Sequence, residues 1–126
     1  MTGQQLLESA LDLCALRETD GSIPADSTDT VQRAPALINL LLAENARLDA
    51  RVSGGEEEVR SITSLDETVP ASDIIVKGVF PYGLARLLLT GEDDAAAAAF
   101  GAMYGSARAN ALRDGRGVCE SIREVT

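Results

Sequence analysis

The sequence predicts a mainly α-helical protein, a small bundle of four to five helices that forms one domain over residues 1–126. Apolar residues make up 45% of the chain but aromatic residues only 3%, so the core must consist of aliphatic side chains, as is usual for packed helices. Apolar residues also recur three and four positions apart in several stretches, which is the helical period. A chain of this length can bury one core without disulfides or metals.

The first helix is predicted over about residues 3–17. Thr2 and Gln5 have the spacing of a capping box, in which two side chains bond the free backbone N–H groups at a helix start. Residues 18–26 contain Gly, Ser, Pro and acidic residues and are predicted to form a loop. The apolar residues at helical spacing are Leu7, Ala10, Leu11 and Cys14.

A second helix is predicted to begin among the good capping residues at 27–30, with a kink at Pro35, or near Ala34 with Pro35 at its first position. It continues until Ser53, and its apolar arc is so wide that we expect a central helix in contact from two sides. The residues of this arc are Leu37, Ile38, Leu40, Leu41, Leu42, Leu48 and Val52.

An acidic linker is predicted at about 53–60, where three consecutive glutamates are interpreted as a solvated run. Residues 61–65 then alternate apolar and polar side chains in part, and so does the tail at 118–125. Since so short a strand cannot stand alone, these two stretches are candidates for a two-stranded β pairing.

The most apolar stretch, Ile74–Leu89, is predicted to contain two short core-facing helices joined by a tight corner at 80–83. Pro81 disfavours helical geometry at the preceding Phe80 and fits the first turn of a new helix. Ser72 is the predicted N-cap of the first of these two helices. We expect the corner to set the angle between them.

The last long helix is predicted to start at a cap supplied by Asp93 or Asp94 and to end at Asp114 and Gly115. Five consecutive alanines near its start favour a helix. Residues 115–126 would then form a separate C-terminal tail. The apolar side of this helix is predicted to consist of Phe100, Met103, Tyr104, Ala107 and Leu112.

The formal net charge is −9, and the acidity is concentrated in residues 1–70, where thirteen acidic and five basic residues give −8. Residues 71–126 carry −1. This net negative charge argues against a phosphate-binding surface that acts by counterion release.

The cellular compartment is predicted from the cysteines and from the absence of targeting patterns. No apolar run reaches the length of about 18 residues that a bilayer span needs, so we expect a soluble protein without a membrane partner. Without a signal-peptide pattern, Cys14 and Cys119 are expected to be free, inert thiols in a reducing cytoplasm. A disulfide between them is the alternative.

No stretch indicates an enzyme, a cofactor or a small-molecule substrate. The chain has no histidine, which removes imidazole-activated nucleophiles and histidine metal sites, and no Gly-rich phosphate loop is present. Glu56–Glu58 lack the ligand spacing of a calcium loop, and residues 92–94 are explained by helix capping. We therefore predict no catalytic, cofactor-binding or metal-binding residues.

Two further features allow both a structural and a functional interpretation. Gly101 and Gly105 are small residues four positions apart, which predicts close packing of the last helix in the core or in the seam of an oligomer. Tyr82 and Tyr104 both fit a core position. Tyr82, beside a proline turn, is the better candidate for an exposed anchor at an interface.

The order of these parts also matches a family pattern. A helix containing residues 36–44 is followed by the segment ITSLDE at 62–67, the segment PYGLA at 81–85 and a helix with Phe100 and Tyr104. This order resembles the small helical head–tail connector, or adaptor, proteins of tailed bacteriophages and prophages.

The resemblance covers residues 30–126 loosely and implies a non-enzymatic structural subunit that forms a homo-oligomeric ring between portal and tail-completion proteins. DNA would pass through this ring without specific binding, and the acids of residues 1–70 would line the channel and repel phosphates. The implied location is the virion, or the host cytoplasm during assembly. The resemblance assigns no binding residue.

Two other functions fit the same sequence. One is a small acidic bacterial helical protein that binds a basic protein partner in regulation, and the other is an accessory subunit of an enzyme. The oligomeric state and co-purification with a portal protein distinguish the connector from these alternatives.

Overall fold

The computed structural model describes residues 1–15 and 28–125, with side chains described up to residue 114. The prediction of a mainly α-helical bundle is confirmed, with one of the predicted helices divided in two. Within the described residues, no helix combines the length and the apolar character that a membrane crossing requires. The helices of this part are α1 (Gly3–Leu13), α2 (Thr28–Glu44), α3 (Ala46–Ser53), α4 (Asp73–Gly78), α5 (Phe80–Leu89) and α6 (Asp94–Val125).

Helix α5 lies at the centre of the bundle and contacts α1, α2, α4 and α6. Its Phe80 and Leu84 are completely buried, together with Leu6 of α1 and Ile38 of α2. Helix α2 contacts α1 and α5, in agreement with a helix touched from two sides, but its Leu40 is 49% exposed. The aliphatic core predicted from the composition is therefore organised around α5.

Helix α1 begins at the predicted capping box. The Thr2 hydroxyl accepts from the Gln5 backbone N–H, and the Gln5 side chain accepts from the Thr2 N–H. The helix ends at Leu13, earlier than the predicted residue 17, because Ala15 adopts a left-handed backbone with φ of 56°. The predicted loop at 18–26 lies outside the described residues.

Helix α2 already includes Thr28, so Pro35 lies inside it and the alternative start near Ala34 is wrong. The predicted single helix to Ser53 is divided at Asn45, whose side chain donates to the Leu41 carbonyl. Asparagine competes for backbone groups in this way and disfavours a helix interior.

Residues 62–69, which we name the tether segment, cross over the start of α1. The Asn39 side chain both donates to and accepts from the backbone of Ile62, at 2.8 and 2.7 Å, as a neighbouring strand would do. The backbone N–H of Gly3 donates to the carbonyl of Glu67, and the N–H of Val69 donates to the carbonyl of Met1.

The predicted β pairing of residues 61–65 with 118–125 is wrong, because 118–125 belong to α6. The apolar residues Val118, Ile122 and Val125 are four and three positions apart, which is the helical rather than the strand period. The predicted end at Gly115 is also wrong. Continuing a formed helix adds one hydrogen bond per residue, and this offsets the modest helix propensity of glycine.

The predicted two helices are present, but the break between them lies at Val79, one residue before the predicted corner at 80–83, and Phe80 is helical although Pro81 follows it. Helix α4 ends at Gly78, α5 starts at Phe80, and Pro81 lies in the first turn of α5. Ser72 precedes α4 as expected, but its hydroxyl does not cap the helix and donates instead to the Asp49 carboxylate of α3 at 2.6 Å. Asp49 thus connects α3 to the start of α4.

Candidate interaction surface

A surface groove of about 530 Å³ runs between α4 and α6, and the corner residue Tyr82 of α5 lies beside it. Two large apolar side chains at this groove are exposed, Ile74 by 42% and Met103 by 49%. Among the lining residues Asp114 alone carries a charge. The full lining consists of Ile74, Gly78, Val79, Tyr82, Ala102, Met103, Ser106, Ala107, Asn110, Ala111 and Asp114.

The break at Val79, between α4 and α5, positions one wall of this groove. Helix α4 ends at Gly78 and α5 starts two residues later. Within α4, Ile75 and Val76 are buried in the core, and Ile74 faces outward. Tyr82 is half-buried and lines the groove, in agreement with its selection as an interface candidate. The expectation that Ile74 faces the core is wrong.

The other wall is the outer side of α6, which has an unusual composition for an exposed helix face. Residues 95–107 contain no charged residue, although a quarter of the chain is charged. Met103 and Tyr104 were both expected on the buried side of this helix. Tyr104 lies there and is 5% exposed, whereas Met103 is 49% exposed. The exposed residues of this stretch are Ala95, Ala98, Ala99, Ala102, Met103, Gly105 and Ser106.

Tyr104 attaches α6 to the rest of the bundle through a partly buried polar cluster. Its hydroxyl donates to Glu44 Oε1 at 2.6 Å and accepts from Asn45 Nδ2 at 2.7 Å. The guanidinium groups of Arg86 and Arg108 lie 5.2 and 5.6 Å from the centre of its ring, within the range of a cation–π contact. The cluster joins the end of α2 and the middle of α5 to α6.

This environment changes the acidity of the Tyr104 hydroxyl. Burial, and the hydrogen bond to the Glu44 carboxylate, raise the pKa of Tyr104 to about 12. The Asn45 hydrogen bond and the Arg108 charge act in the opposite direction. A phenol of this kind stays protonated near neutral pH, so Tyr104 serves as a structural hydrogen-bond donor.

Gly83 of α5 allows a close helix contact that was not predicted from the sequence. A Cβ atom at Gly83 would lie 2.7 Å from Leu41 Cδ2 and 2.9 Å from Tyr104 Cε1. Of the two glycines that were predicted to allow close packing, only Gly101 lies against another side chain. A Cβ at Gly101 would lie 3.3 Å from Arg86 Cδ, whereas Gly105 faces open space.

The other candidate groups from the sequence do not converge on the groove. Glu56–Glu58 are exposed, and the Asp93 carboxylate accepts from the Ala96 N–H, as a cap of α6 does. Burial raises the pKa of the half-buried Cys14 thiol, and Cys119 lies outside the described side chains. In the described part of the chain, no three Cys, Asp or Glu side chains are placed to hold a metal ion.

Comparison of this chain with protein-family models, with curated proteins and with solved structures finds no match.

Proposed function

We propose that the protein is a non-enzymatic structural subunit of a phage or prophage particle, a head–tail connector that forms a ring between portal and tail proteins. The observation that carries the proposal is the groove between α4 and α6. The segment 81–85, part of the pattern that resembles connectors, places Tyr82 beside two exposed apolar side chains. Exposed apolar groups around an aromatic side chain are typical of protein interfaces.

The lining of the groove favours a protein partner over a small-molecule substrate. It combines aliphatic and small side chains with the polar groups of Ser106, Asn110 and Tyr82 and with one carboxylate, Asp114. Acid–base catalysis requires a proton-transfer group within hydrogen-bond reach of a substrate, with a second group to complement it. A single carboxylate on an exposed part of α6 suits an ion pair with a partner better.

The distribution of charge supports the part of the proposal that concerns DNA. The exposed Glu56–Glu58 and the net charge of −8 in residues 1–70 would repel phosphate groups in a channel and keep DNA from binding specifically. Such a subunit acts in the virion and, during assembly, in the cytoplasm of the bacterial host.

The proposal is tested by co-expression with the portal and tail-completion proteins of the same gene cluster. We expect the protein to co-purify with the portal and to form a ring at its base in electron micrographs. Met103→Glu, which places a charge in the groove, should abolish this recovery. Val59→Glu changes an apolar residue that is 66% exposed outside the groove, and it should leave recovery unchanged.

The opposite results would favour other functions. If neither the wild-type protein nor any variant recovers the portal, and a basic bacterial protein co-purifies instead, the protein is an acidic regulatory partner of that protein rather than a connector. If Met103→Glu recovers as much portal as the wild-type protein does, the groove is not the surface that binds the portal.

A further inference from the structure

Helix α3 contributes no residue to the groove, but residues at its start are hydrogen-bonded to α6 and to the residue that precedes α4. Asn45 directly precedes α3, and Asp49 lies in its first turn. The Asp49 N–H donates to the Asn45 carbonyl at 2.8 Å, so the two residues lie one helical turn apart. One short stretch of chain is thus connected to both walls of the groove.

Asn45 provides the connection to the α6 wall. Its Nδ2 group donates to the Tyr104 hydroxyl at 2.7 Å, and Asn45 itself is 1% exposed. Tyr104 directly follows Met103, whose exposed side chain lines the groove. Because an α-helix turns through about 100° per residue, the attachment of Tyr104 also fixes the direction in which Met103 projects.

Asp49 provides the connection to the α4 wall. Its Oδ1 atom accepts from the backbone N–H of Ser72 at 2.8 Å and from the Ser72 hydroxyl at 2.6 Å. Ser72 directly precedes α4, and Ile74, at the second position of α4, lines the groove. Hydrogen bonds to a carboxylate are stronger than those between neutral groups, so Asp49 is a firm attachment for the start of α4.

Helix α4 depends on its attachments because it is short. It has six residues, whereas an isolated helix needs roughly 12 to form in water. Its buried Ile75 and Val76 hold it to the core, its C-terminal end continues into α5, and Asp49 holds its N-terminal end. That N-terminal end carries Ile74, so Asp49 acts on the part of α4 that presents an apolar side chain to the groove.

We propose that Asp49 is a positioning residue for the groove. From α3, which Asn45 anchors to α6, it holds the α4 wall at a fixed distance from the α6 wall. Asp49 does not line the groove, so it acts on a bound partner only through α4. This role rests on the proposed function in one respect, since it takes the groove to be the surface that binds the portal.

The methyl group of Met103 tests this role without any partner. The chain contains two methionines, so a spectrum of protein labelled at the methionine methyl carbons is simple, and Met103→Leu identifies the Met103 signal by its loss. We expect Asp49→Ala to shift this signal by more than its line width, because the opposite wall of the groove moves. Asp49→Asn keeps an oxygen that can accept from Ser72 and should shift the signal less.

A residue that only stabilises the fold would lower the midpoint of urea denaturation and leave the Met103 signal in place. The matched control is Asp66→Ala, which removes an exposed carboxylate of the tether segment and should not move the signal. Ser72→Ala removes the hydrogen bond at 2.6 Å and keeps the one from the backbone, so it should cause a smaller shift in the same direction. It replaces Asp49→Ala as the deciding variant if that protein does not fold.

The positioning role is overturned if the Met103 signal stays in place in the deciding variant, or if Asp66→Ala moves it as far. It is also overturned if Asp49→Asn shifts the signal as far as Asp49→Ala does.

Portal recovery separates this role from the proposed function. Asp49→Ala should recover several-fold less portal than the wild-type protein, and Asp66→Ala should recover as much. If the Met103 signal responds as expected but the wild-type protein recovers no portal, the proposed function alone is contradicted. If the wild-type protein recovers the portal but the signal does not respond to Asp49, the positioning role alone is contradicted.

Discussion

Asn45 has a relative exposure of 1%, and its hydrogen bonds connect α2 to α6. Its Nδ2 group donates to both the Leu41 carbonyl and the Tyr104 hydroxyl, while its Oδ1 atom has no partner among the described residues. A buried amide that is only partly satisfied is sensitive to the loss of one more hydrogen bond. The stability of the bundle should therefore depend on the Tyr104 hydroxyl.

We expect Tyr104→Phe to lower the free energy of unfolding by about 1–3 kcal/mol, because it removes the hydrogen bonds to Glu44 and Asn45 and leaves Asn45 less satisfied. Urea denaturation followed by circular dichroism measures the change. Tyr82→Phe is the matched control, since the described residues give its hydroxyl no hydrogen bond, and it should change stability by less than about 0.5 kcal/mol. Equal losses in the two variants would contradict the structural role of the cluster.

Gly83→Ala should destabilise the protein by about 1–3 kcal/mol, although alanine is the better helix former. The added methyl group would overlap Leu41 and the Tyr104 ring, at 2.7 and 2.9 Å. Gly105→Ala, in the interior of α6 with open space around it, should instead raise stability by up to about 1 kcal/mol. Opposite shifts in the midpoint of urea denaturation would confirm the close approach, and an equal gain in both variants would refute it.

At the scale of elements, the sequence was most informative where local chemistry decides the structure. The capping box at Thr2 and the position of Pro81 in the first turn of α5 depend on neighbouring residues only, and both were predicted. The break at Asn45 was not predicted because it involves a residue 59 positions away, Tyr104. The extension of α6 was missed because an alternating pattern was assigned to residues that also fit a helix.

The same reasoning explains how much of the candidate surface the sequence could predict. Tyr82 was identified because a proline turn places an aromatic side chain near the surface. Ile74 and Met103 were assigned to the core, since they are apolar and neighbour residues that are buried. Two adjacent helical residues of similar hydrophobicity can be distinguished only by the packing of the whole bundle, which places Ile75 and Tyr104 inward.

The two prolines within the described helices should respond to substitution with opposite signs. Pro81 is buried in the first turn of α5, where it costs no hydrogen bond, so Pro81→Ala should lower stability by about 1 kcal/mol and the melting temperature by a few degrees. Pro35 lies inside α2, where proline removes a backbone hydrogen bond. Pro35→Ala should therefore raise the melting temperature. Calorimetry measures both changes, and an unaltered melting temperature for Pro81→Ala would show that the corner does not depend on its proline.

The turn at 63–67 within the tether segment should depend on pH through Glu67. Its carboxylate accepts from the backbone N–H of Thr63 at 2.6 Å and of Ser64 at 2.7 Å, and these bonds hold the pKa of Glu67 below the ordinary value of 4.5. Because the folded-state pKa is lowered, the stabilisation is present above pH 4.5 and is lost as the pH falls through the folded-state value.

Nuclear magnetic resonance can follow this loss at the two amide protons. The chemical shifts of the Thr63 and Ser64 amides should titrate together with a midpoint below 4.5, and Glu67→Gln should abolish the transition. Glu56→Gln, in the exposed acidic run, should leave it unchanged. A midpoint at or above 4.5 in the wild-type protein would contradict the hydrogen bonds to the carboxylate.

At the scale of the whole molecule, one core connects the described elements. Leu6 and Leu11 of α1, Ile38 of α2, Ile75 of α4, Phe80 of α5 and Tyr104 of α6 belong to one buried cluster. The tether segment contributes Ile62 and Val69 to the same cluster. No described helix has a core of its own, so loss of any one exposes side chains of several others.

We therefore expect the chain to unfold as a single cooperative unit, which is the behaviour of most domains below about 150 residues. Far-ultraviolet circular dichroism reports on the helices, and the near-ultraviolet signal of the tyrosines, with no tryptophan present, reports on the packing around Tyr104 and Tyr82. The two signals should give the same urea midpoint in the wild-type protein and in Tyr82→Phe, where Tyr104 is the sole tyrosine reporter. An earlier tyrosine transition in either protein would show that α6 separates from the bundle before the other helices unfold, and would limit the single-domain prediction to α1–α5.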